Sequence, residues 1–211
     1  RERGAIAISD IKRGDISSTA KQYAIGHFTG DFETDFITVN AYMGEDAVSP
    51  YYEFLEKEKG MFILIKTSNP SSGEFQDVLT RDGVPMYELV GQKVREWGAK
   101  SMDGRYSNVG AVVGATYPEQ GEQLRKLMPT TFILAPGYGA QGGTADDLKP
   151  FFNEDGLGAI VNSSRGIICA YKNEKYKAYE GYLLDKRYVL ERLIGVGGMA
   201  VVFRAKDLVL N

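Results

Sequence analysis

Short apolar runs recur along the chain, and a segment of helical or loop character follows each of them. The runs are nearly continuous instead of alternating between apolar and polar residues, which is typical of strands covered on both faces. They lie at 5–9, 36–39, 61–65, 110–114, 132–135 and 159–161. Helical candidates between them lie at 17–25, 83–97 and 119–127. This alternation predicts an α/β fold with parallel strands.

Polar and glycine-rich segments follow several of the predicted strands, at 66–72, 115–118, 136–143 and 162–166. In a (β/α)8 barrel, the loops after the strands build the active site. A complete barrel takes about 250 residues, and residues 1–178 hold only six of the predicted strands. We therefore expect a (β/α)8 barrel that lacks about the first two β/α units, with an open doubly wound sheet as the alternative.

The end of the chain has a different pattern. Strand candidates at 188–195 and 203–207 lie on either side of a glycine-rich stretch, which predicts a β-hairpin instead of another β/α unit. We accordingly divide the chain into a barrel-like domain at 1–178, a linker at 179–186 and a hairpin fragment at 187–211.

Composition restricts the class of protein. The chain has 211 residues, of which 43% are hydrophobic and 25% charged, with a net charge of −3. This mild acidity gives no reason to expect nucleic acid or an anionic membrane as a partner. No apolar run approaches the roughly 20 residues of a membrane span, and no signal-peptide pattern is present. With one cysteine, Cys169, the sequence favours a cytoplasmic protein without an intrachain disulfide.

A cluster of charged residues follows the first predicted strand. Residues two apart on a strand point the same way, so we expect Asp10 and Lys12 to share a face. Asp15 follows after Gly14, which allows the chain to turn. Taken alone, this spacing is more typical of a solvated loop. Burying such charges is costly unless they are paired, so the cluster also indicates a functional site.

Four motifs stand in order along the chain, at 10–19, 66–70, 136–143 and 162–165. Together they resemble the orotidine 5'-phosphate decarboxylases, in particular a bacterial subgroup, over residues 5–178. The resemblance implies a (β/α)8 barrel that forms a homodimer and uses neither a cofactor nor a metal. It also implies the conversion of orotidine 5'-phosphate to UMP and carbon dioxide, the last step of pyrimidine biosynthesis.

The resemblance gives roles to the first motif. Lys12 matches the lysine that protonates C6 of the pyrimidine and stabilises the negative charge on that carbon. Asp10 matches the carboxylate that holds this lysine and lies beside the carboxylate of the substrate. Asp15, Ile16 and Thr19 match the residues that reach the active site of the neighbouring subunit.

The other motifs match residues that bind the substrate. Ser68 corresponds to the serine that recognises the polar edge of the pyrimidine, and Gln141 and Arg165 correspond to residues that bind the phosphate. Arginine suits a phosphate because its planar fork can donate two parallel hydrogen bonds. Lys66 ends an apolar strand, and neither the pattern nor the resemblance gives it a role.

Two features depart from the family. Its members also use an aspartate and a lysine at the ends of two earlier strands, and no residues here match them. We therefore expect the chain as given to be inactive. Residues 187–211 resemble the start of a bacterial Ser/Thr protein kinase, with 195–202 as its glycine-rich loop. The ATP-pairing lysine and the catalytic Asp and Asn are absent, so the tail implies no kinase activity. It indicates either a longer fusion or two artificially joined reading frames.

Two other functions remain open. One is a magnesium-dependent sugar-phosphate lyase of the same superfamily, which shares the motif around Lys12. The other is a catalytically dead fragment attached to a protein kinase. The segments around Ser68 and Gln141 favour the pyrimidine enzyme over the sugar-phosphate lyase.

Overall fold

The computed structural model of the chain describes residues 5–169, 181–184, 187–196 and 201–209. They form two compact units that divide between Val161 and Asn162. None of the described helices is long and apolar enough to cross a bilayer.

The first unit contains the strands and helices that the apolar pattern predicts, together with three short helices. Its strands are β1 (Ile8–Arg13), β2 (Phe36–Val39), β3 (Gly60–Lys66), β4 (Met102–Asp103), β5 (Tyr106–Val113), β6 (Thr131–Pro136) and β7 (Ala159–Asn162). Its helices are α1 (Ser17–Phe28), α2 (Tyr52–Leu55), α3 (Gly73–Gln76), α4 (Met86–Gly98), α5 (Pro118–Leu127) and α6 (Ala145–Leu148).

The strands of this unit form one curled sheet in the order β1-β2-β3-β5-β6-β7, and β4 pairs antiparallel with β5. The neighbours from β1 to β6 along this order pair in parallel. The prediction of an α/β fold with parallel strands is therefore confirmed. Among the described residues, β1 and β7 are the two edge strands of this sheet.

The two faces of the sheet pack differently. One face packs against the helices, with strand residues such as Ile63 and Ala111 in the same core as Ala20 and Leu124. The other face carries a second apolar cluster, whose residues come from all six strands of the sheet order and from no helix. A doubly wound sheet would cover both faces with helices. A face filled by strand side chains alone is typical of the interior of a barrel.

A glycine makes room for one of these interior side chains. A Cβ atom added at Gly110 in β5 would lie 2.5 Å from the ring of Phe62 and 2.8 Å from the carbonyl oxygen of Phe132. Both distances are shorter than a van der Waals contact. The missing side chain at position 110 therefore lets the Phe62 ring lie across β5, where it also approaches Phe36, with the two ring centroids 5.5 Å apart.

The second unit contains one short helix and a small antiparallel sheet. These are α7 (Ser164–Ile168), β8 (Leu183–Leu184), β9 (Tyr188–Val196) and β10 (Val201–Asp207). The order of the sheet is β10-β9-β8, and both pairs are antiparallel. The predicted pair of tail strands is present, and β8 lies within the segment predicted as a linker. Residues 197–200 of the predicted glycine-rich loop lie outside the described residues.

Candidate active site

The structure pairs Asp10 with Lys12 on β1. Lys12 Nζ donates to Asp10 Oδ1 at 2.6 Å, and each side chain is about half exposed, at 51% and 49%. Thr38 on β2 joins the pair, because its hydroxyl donates to Asp10 Oδ1 at 2.9 Å and accepts from the Lys12 backbone N–H at 2.8 Å. The expectation that Asp10 and Lys12 lie on one face of the strand is confirmed. The contribution of Thr38 was missed, although a threonine in the otherwise apolar β2 is a signal for it.

The boundaries of β1 differ from the prediction. The apolar run ends at Ser9, but the strand continues to Arg13, so Asp10 and Lys12 lie within it. The pairing with β2 shifts register between Ser9 and Arg13. Lys12 has a left-handed backbone with φ of 47°, a conformation that costs a residue with a side chain about 1–2 kcal/mol. Such strain is concentrated at functional sites.

The turn after β1 does not depend on a left-handed glycine. The positive φ angles in this region belong to Lys12 and Ser17. Gly14 lies next to Asn40, the residue that follows β2, and an added Cβ would contact the Cβ of Asn40 at 3.4 Å. The space beside Asn40 would therefore accept a small side chain at position 14.

Asp15, Ile16 and Thr19 lie at the start of α1. The Asp15 carboxylate accepts a hydrogen bond from the Ile16 backbone N–H at 2.8 Å. The side chains of Ile16 and Thr19 are exposed. This segment therefore presents an apolar and a polar side chain to the surface beside the charged pair of β1.

The last residue of β1, an arginine, contacts a histidine of α1. Arg13 Nε donates to His27 Nε2 at 3.2 Å, and the Arg13 guanidinium lies 5.0 Å from the centre of the Tyr23 ring. Burial, with a smaller contribution from the positive charge of Arg13, lowers the pKa of His27. Neutral His27 can therefore accept the bond that orients Arg13, the residue next to Lys12.

Ser68 and Gln141 approach each other across Gly137. A Cβ added at Gly137 would lie 3.1 Å from the Ser68 Cβ and 3.3 Å from Gln141 Oε1. One added at Gly114 would lie 2.8 Å from the Ser68 Cα. The segments that follow β3, β5 and β6 therefore meet at one place. This proximity of Ser68 and Gln141 agrees with their common assignment to a substrate site.

The segment that carries Ser68 is bound by its neighbours on both sides. The Thr67 backbone N–H donates to Gln76 Oε1 at 2.9 Å. Tyr117 donates its hydroxyl hydrogen to the Asn69 carbonyl oxygen at 3.2 Å, and Thr116 donates to the Ser68 carbonyl oxygen at 3.3 Å. The backbone around Ser68 is therefore fixed independently of any ligand.

Lys66 is a charged residue that the sequence reasoning left without a role. Its side chain is completely buried at the end of β3, and its Nζ lies 2.6 Å from Asp77 Oδ1. A buried lysine that ends an apolar strand is a signal that could have led to it.

Arg165 lies in α7 of the second unit, and its side chain is exposed. Beside it, Ser164 donates its hydroxyl hydrogen to Asn162 Oδ1 at 3.0 Å. The role of Arg165 in binding phosphate stays a prediction. Among the residues that the structure describes, no group of three or more His, Cys, Asp or Glu side chains is arranged to hold a metal ion.

Comparison with protein families gives a match over most of the chain. The sequence pattern of the "Orotidine 5'-phosphate decarboxylase / HUMPS family" matches residues 1–179. The chain belongs to this family.

Curated members of the orotidine 5'-phosphate decarboxylase family align with most of the chain. The orotidine 5'-phosphate decarboxylase of Clostridium acetobutylicum is 51% identical over 177 residues, which cover 83% of this chain and 62% of the relative. The same enzyme of Clostridium novyi is 54% identical over 171 residues, covering 80% and 59%. The chain therefore spans about 60% of the length of these relatives.

Solved structures support the same family fold. The UMP synthase of Leishmania donovani is similar with a TM-score of 0.70 and 37% identity, covering 78% of this chain and 35% of that one. The OMP decarboxylase of the same organism gives a TM-score of 0.66 and 34% identity, covering 76% and 59%. The curled parallel sheet is therefore part of the TIM-barrel fold of orotidine 5'-phosphate decarboxylases, and the doubly wound alternative is wrong.

Substitution of the glycine beside Ser68 tests the packing in this part of the candidate site. We expect Gly114→Ala to destabilise the protein by about 1–3 kcal/mol, because the new methyl group would overlap the Ser68 backbone. Chemical denaturation measures the change. The matched control is Gly26→Ala in α1, where an added Cβ contacts nothing within 4 Å and should stabilise the helix by about 0.5–1 kcal/mol. Equal stability of Gly114→Ala and the wild type would contradict the packing described here.

Proposed function

We propose that this chain carries the catalytic part of an orotidine 5'-phosphate decarboxylase, which converts orotidine 5'-phosphate to UMP and carbon dioxide. The observation that carries the proposal is the bond of 2.6 Å between Lys12 Nζ and Asp10 Oδ1 on β1. In the family, the corresponding lysine and aspartate act on the reacting carbon. The relatives from Clostridium, which are about half identical to this chain, bear the name of that enzyme.

The proposed reaction uses Lys12 as the proton donor. The bond between C6 of the pyrimidine and the carboxylate breaks, carbon dioxide leaves, and the electron pair stays on C6. The Lys12 ammonium stabilises that negative charge and then gives its proton to C6, forming UMP. Asp10 and Thr38 orient the amine for this transfer, because Asp10 accepts hydrogen bonds from the side chains of both Lys12 and Thr38.

Ser68 and Gln141 supply recognition away from the reacting carbon. Ser68 would bond the polar edge of the pyrimidine, a contact that rejects a wrong ring because buried polar groups are then left unpaired. Gln141 would bind the phosphate, a role that the resemblance to the family also gives to Arg165. Gly137, Gly139 and Gly142 have positive φ angles of 99°, 72° and 101°, so the segment around Gln141 can bend around a bound phosphate. Phosphate binding then helps to hold the ring in its reactive position.

The proposed enzyme is a homodimer in which Asp15 reaches the site of the neighbouring subunit, together with Ile16 and Thr19. The exposure of Ile16 at the start of α1 supports this arrangement, because a second chain would cover that apolar side chain.

Mixing two inactive variants tests the role of Asp15. A Lys12→Ala chain and an Asp15→Ala chain should each be inactive, and hybrid dimers should contain one site with neither change. In a form extended by two β/α units ahead of Arg1, we therefore expect activity to return to about a quarter of the wild-type value after complete exchange at equal amounts, since half of the dimers are hybrids with one intact site of two. If exchange is shown by differently labelled chains and the mixture stays inactive, Asp15 serves its own subunit.

The assay of the proposed function compares two forms of the protein with orotidine 5'-phosphate as substrate. One is the chain as given, and the other carries two β/α units of the Clostridium acetobutylicum relative ahead of Arg1. Because β1 is an edge strand of the described sheet, we expect activity and better solubility only in the second form. Activity that persists in EDTA supports the decarboxylase. Magnesium-dependent turnover of a sugar phosphate would indicate the sugar-phosphate lyase. If neither form of the protein is active, the chain is a catalytically dead fragment.

A further inference from the structure

We propose that Lys66 is a positioning residue for Ser68, and that it thereby determines how strongly the site prefers uracil to cytosine. This inference rests on the proposed function for its ligand, but its geometric part concerns the ligand-free protein. Lys66 lies two residues before Ser68. It contacts Asp77, the neighbour of the Gln76 that bonds Thr67, and Tyr117, which bonds Asn69.

The first step is the burial of the Lys66 charge. The side chain is fully buried, so its ammonium depends on protein groups for the interactions that water would otherwise supply. Asp77 supplies an ion pair at 2.6 Å. The rings of Tyr117 and Tyr87 lie 4.3 Å and 5.9 Å from the Lys66 Nζ, within the range of a cation–π interaction. The positions of Asp77 and Tyr117 are therefore coupled to the Lys66 charge.

The contact with Asp77 leads to one side of Ser68. Asp77 directly follows Gln76 at the end of α3, so the ion pair fixes the backbone next to Gln76. The Gln76 amide binds Thr67 twice, accepting from its backbone N–H at 2.9 Å and donating to its hydroxyl at 2.9 Å. Thr67 is the residue before Ser68.

The contact with Tyr117 leads to the other side. The Tyr117 ring lies against the Lys66 ammonium, and its hydroxyl donates to the carbonyl oxygen of Asn69 at 3.2 Å. Ser72 donates to the same Tyr117 hydroxyl at 3.2 Å. Asn69 is the residue after Ser68. One buried ammonium thus supports both neighbours of Ser68, and a serine fixed in this way presents its hydroxyl to a ring in one geometry.

Substitution of Lys66 tests the inference in the form extended ahead of Arg1. Lys66→Met removes the charge and keeps the length of the side chain. We expect hydrogen exchange of the backbone amides at 67–72 to become about tenfold faster or more, since losing roughly 1.4 kcal/mol of local stability has that effect. We also expect the ratio of UMP to CMP affinity, measured by calorimetry, to fall by about tenfold. Lys126→Met is the control, because Lys126 forms an exposed ion pair with Glu122 on α5 and should change neither quantity.

A second variant keeps the inference testable if Lys66→Met does not fold. Gln76→Leu leaves the buried ion pair in place and removes the two bonds to Thr67, so it should also speed exchange at 67–72 and reduce the preference for UMP. Unchanged exchange and preference in Gln76→Leu would overturn the inference. A parallel loss of UMP and CMP affinity in Lys66→Met would overturn it as well, by showing a role in folding alone. Failure of the wild type to bind UMP would contradict the proposed function, while the exchange result would still decide the positioning role.

Discussion

Lys12→Ala is expected to abolish decarboxylation while leaving the affinity for UMP largely unchanged. The substitution removes both the proton donor and the cation that stabilises the negative charge on C6, so kcat should fall by at least about a thousandfold. UMP already carries its hydrogen on C6 and needs neither contribution. The measurement is the steady-state rate of the form extended ahead of Arg1, with UMP binding followed by calorimetry.

The control for this variant is another half-exposed lysine of the first unit. Lys21 lies in α1 and forms an exposed ion pair with Glu53 at 3.5 Å. Lys21→Ala should retain the wild-type rate, because exposed pairs contribute little. A Lys12→Ala enzyme with more than about a tenth of the wild-type rate would contradict the proposed role, since it leaves less than tenfold for a donor that should contribute far more.

Arg165→Ala is expected to weaken the binding of nucleotide 5'-phosphates and to leave that of the uridine nucleoside almost unchanged. Loss of a charge-assisted pair of hydrogen bonds to a bound phosphate should cost about 2–5 kcal/mol, or roughly 30-fold to several thousandfold in affinity. Calorimetry with UMP and with uridine, on the extended form, measures the two affinities.

Arg204 offers a matched control in the second unit. It is an exposed arginine on β10 that forms an ion pair with Glu191 at 2.9 Å, and Arg204→Ala should alter neither affinity. If Arg165→Ala weakens UMP and uridine equally, Arg165 supports the structure of the site and does not bind the phosphate.

The apolar pattern was sufficient for the sheet but not for its details. Every predicted strand of the first unit is present, because a strand covered on both faces requires a continuous apolar run. The continuation of β1 to Arg13 was missed, since it depends on the Thr38 hydroxyl bonding the Lys12 backbone. The one-turn helices α2 and α3 were also missed, because four residues are too few to show a helical period.

Motifs predicted which residues belong to the site, whereas packing determined how they are supported. Asp10 and Lys12 are two residues apart, so local geometry alone could predict their contact. The approach of Ser68 to Gln141 depends on Gly114 and Gly137, which leave space between separate loops. The environment of Lys66 likewise comes from segments distant in sequence. Such contacts follow from the curvature of the sheet, which no local pattern contains.

The left-handed backbone of Lys12 places catalysis and thermodynamic stability in opposition at a single residue. Glycine would adopt the φ of 47° without steric penalty, so a chain selected only for stability would drift towards glycine at this position. Such a chain would lose the ammonium on which the proposed chemistry depends. Stability-guided engineering of this protein should therefore exclude position 12, and gains there would be a warning of lost function.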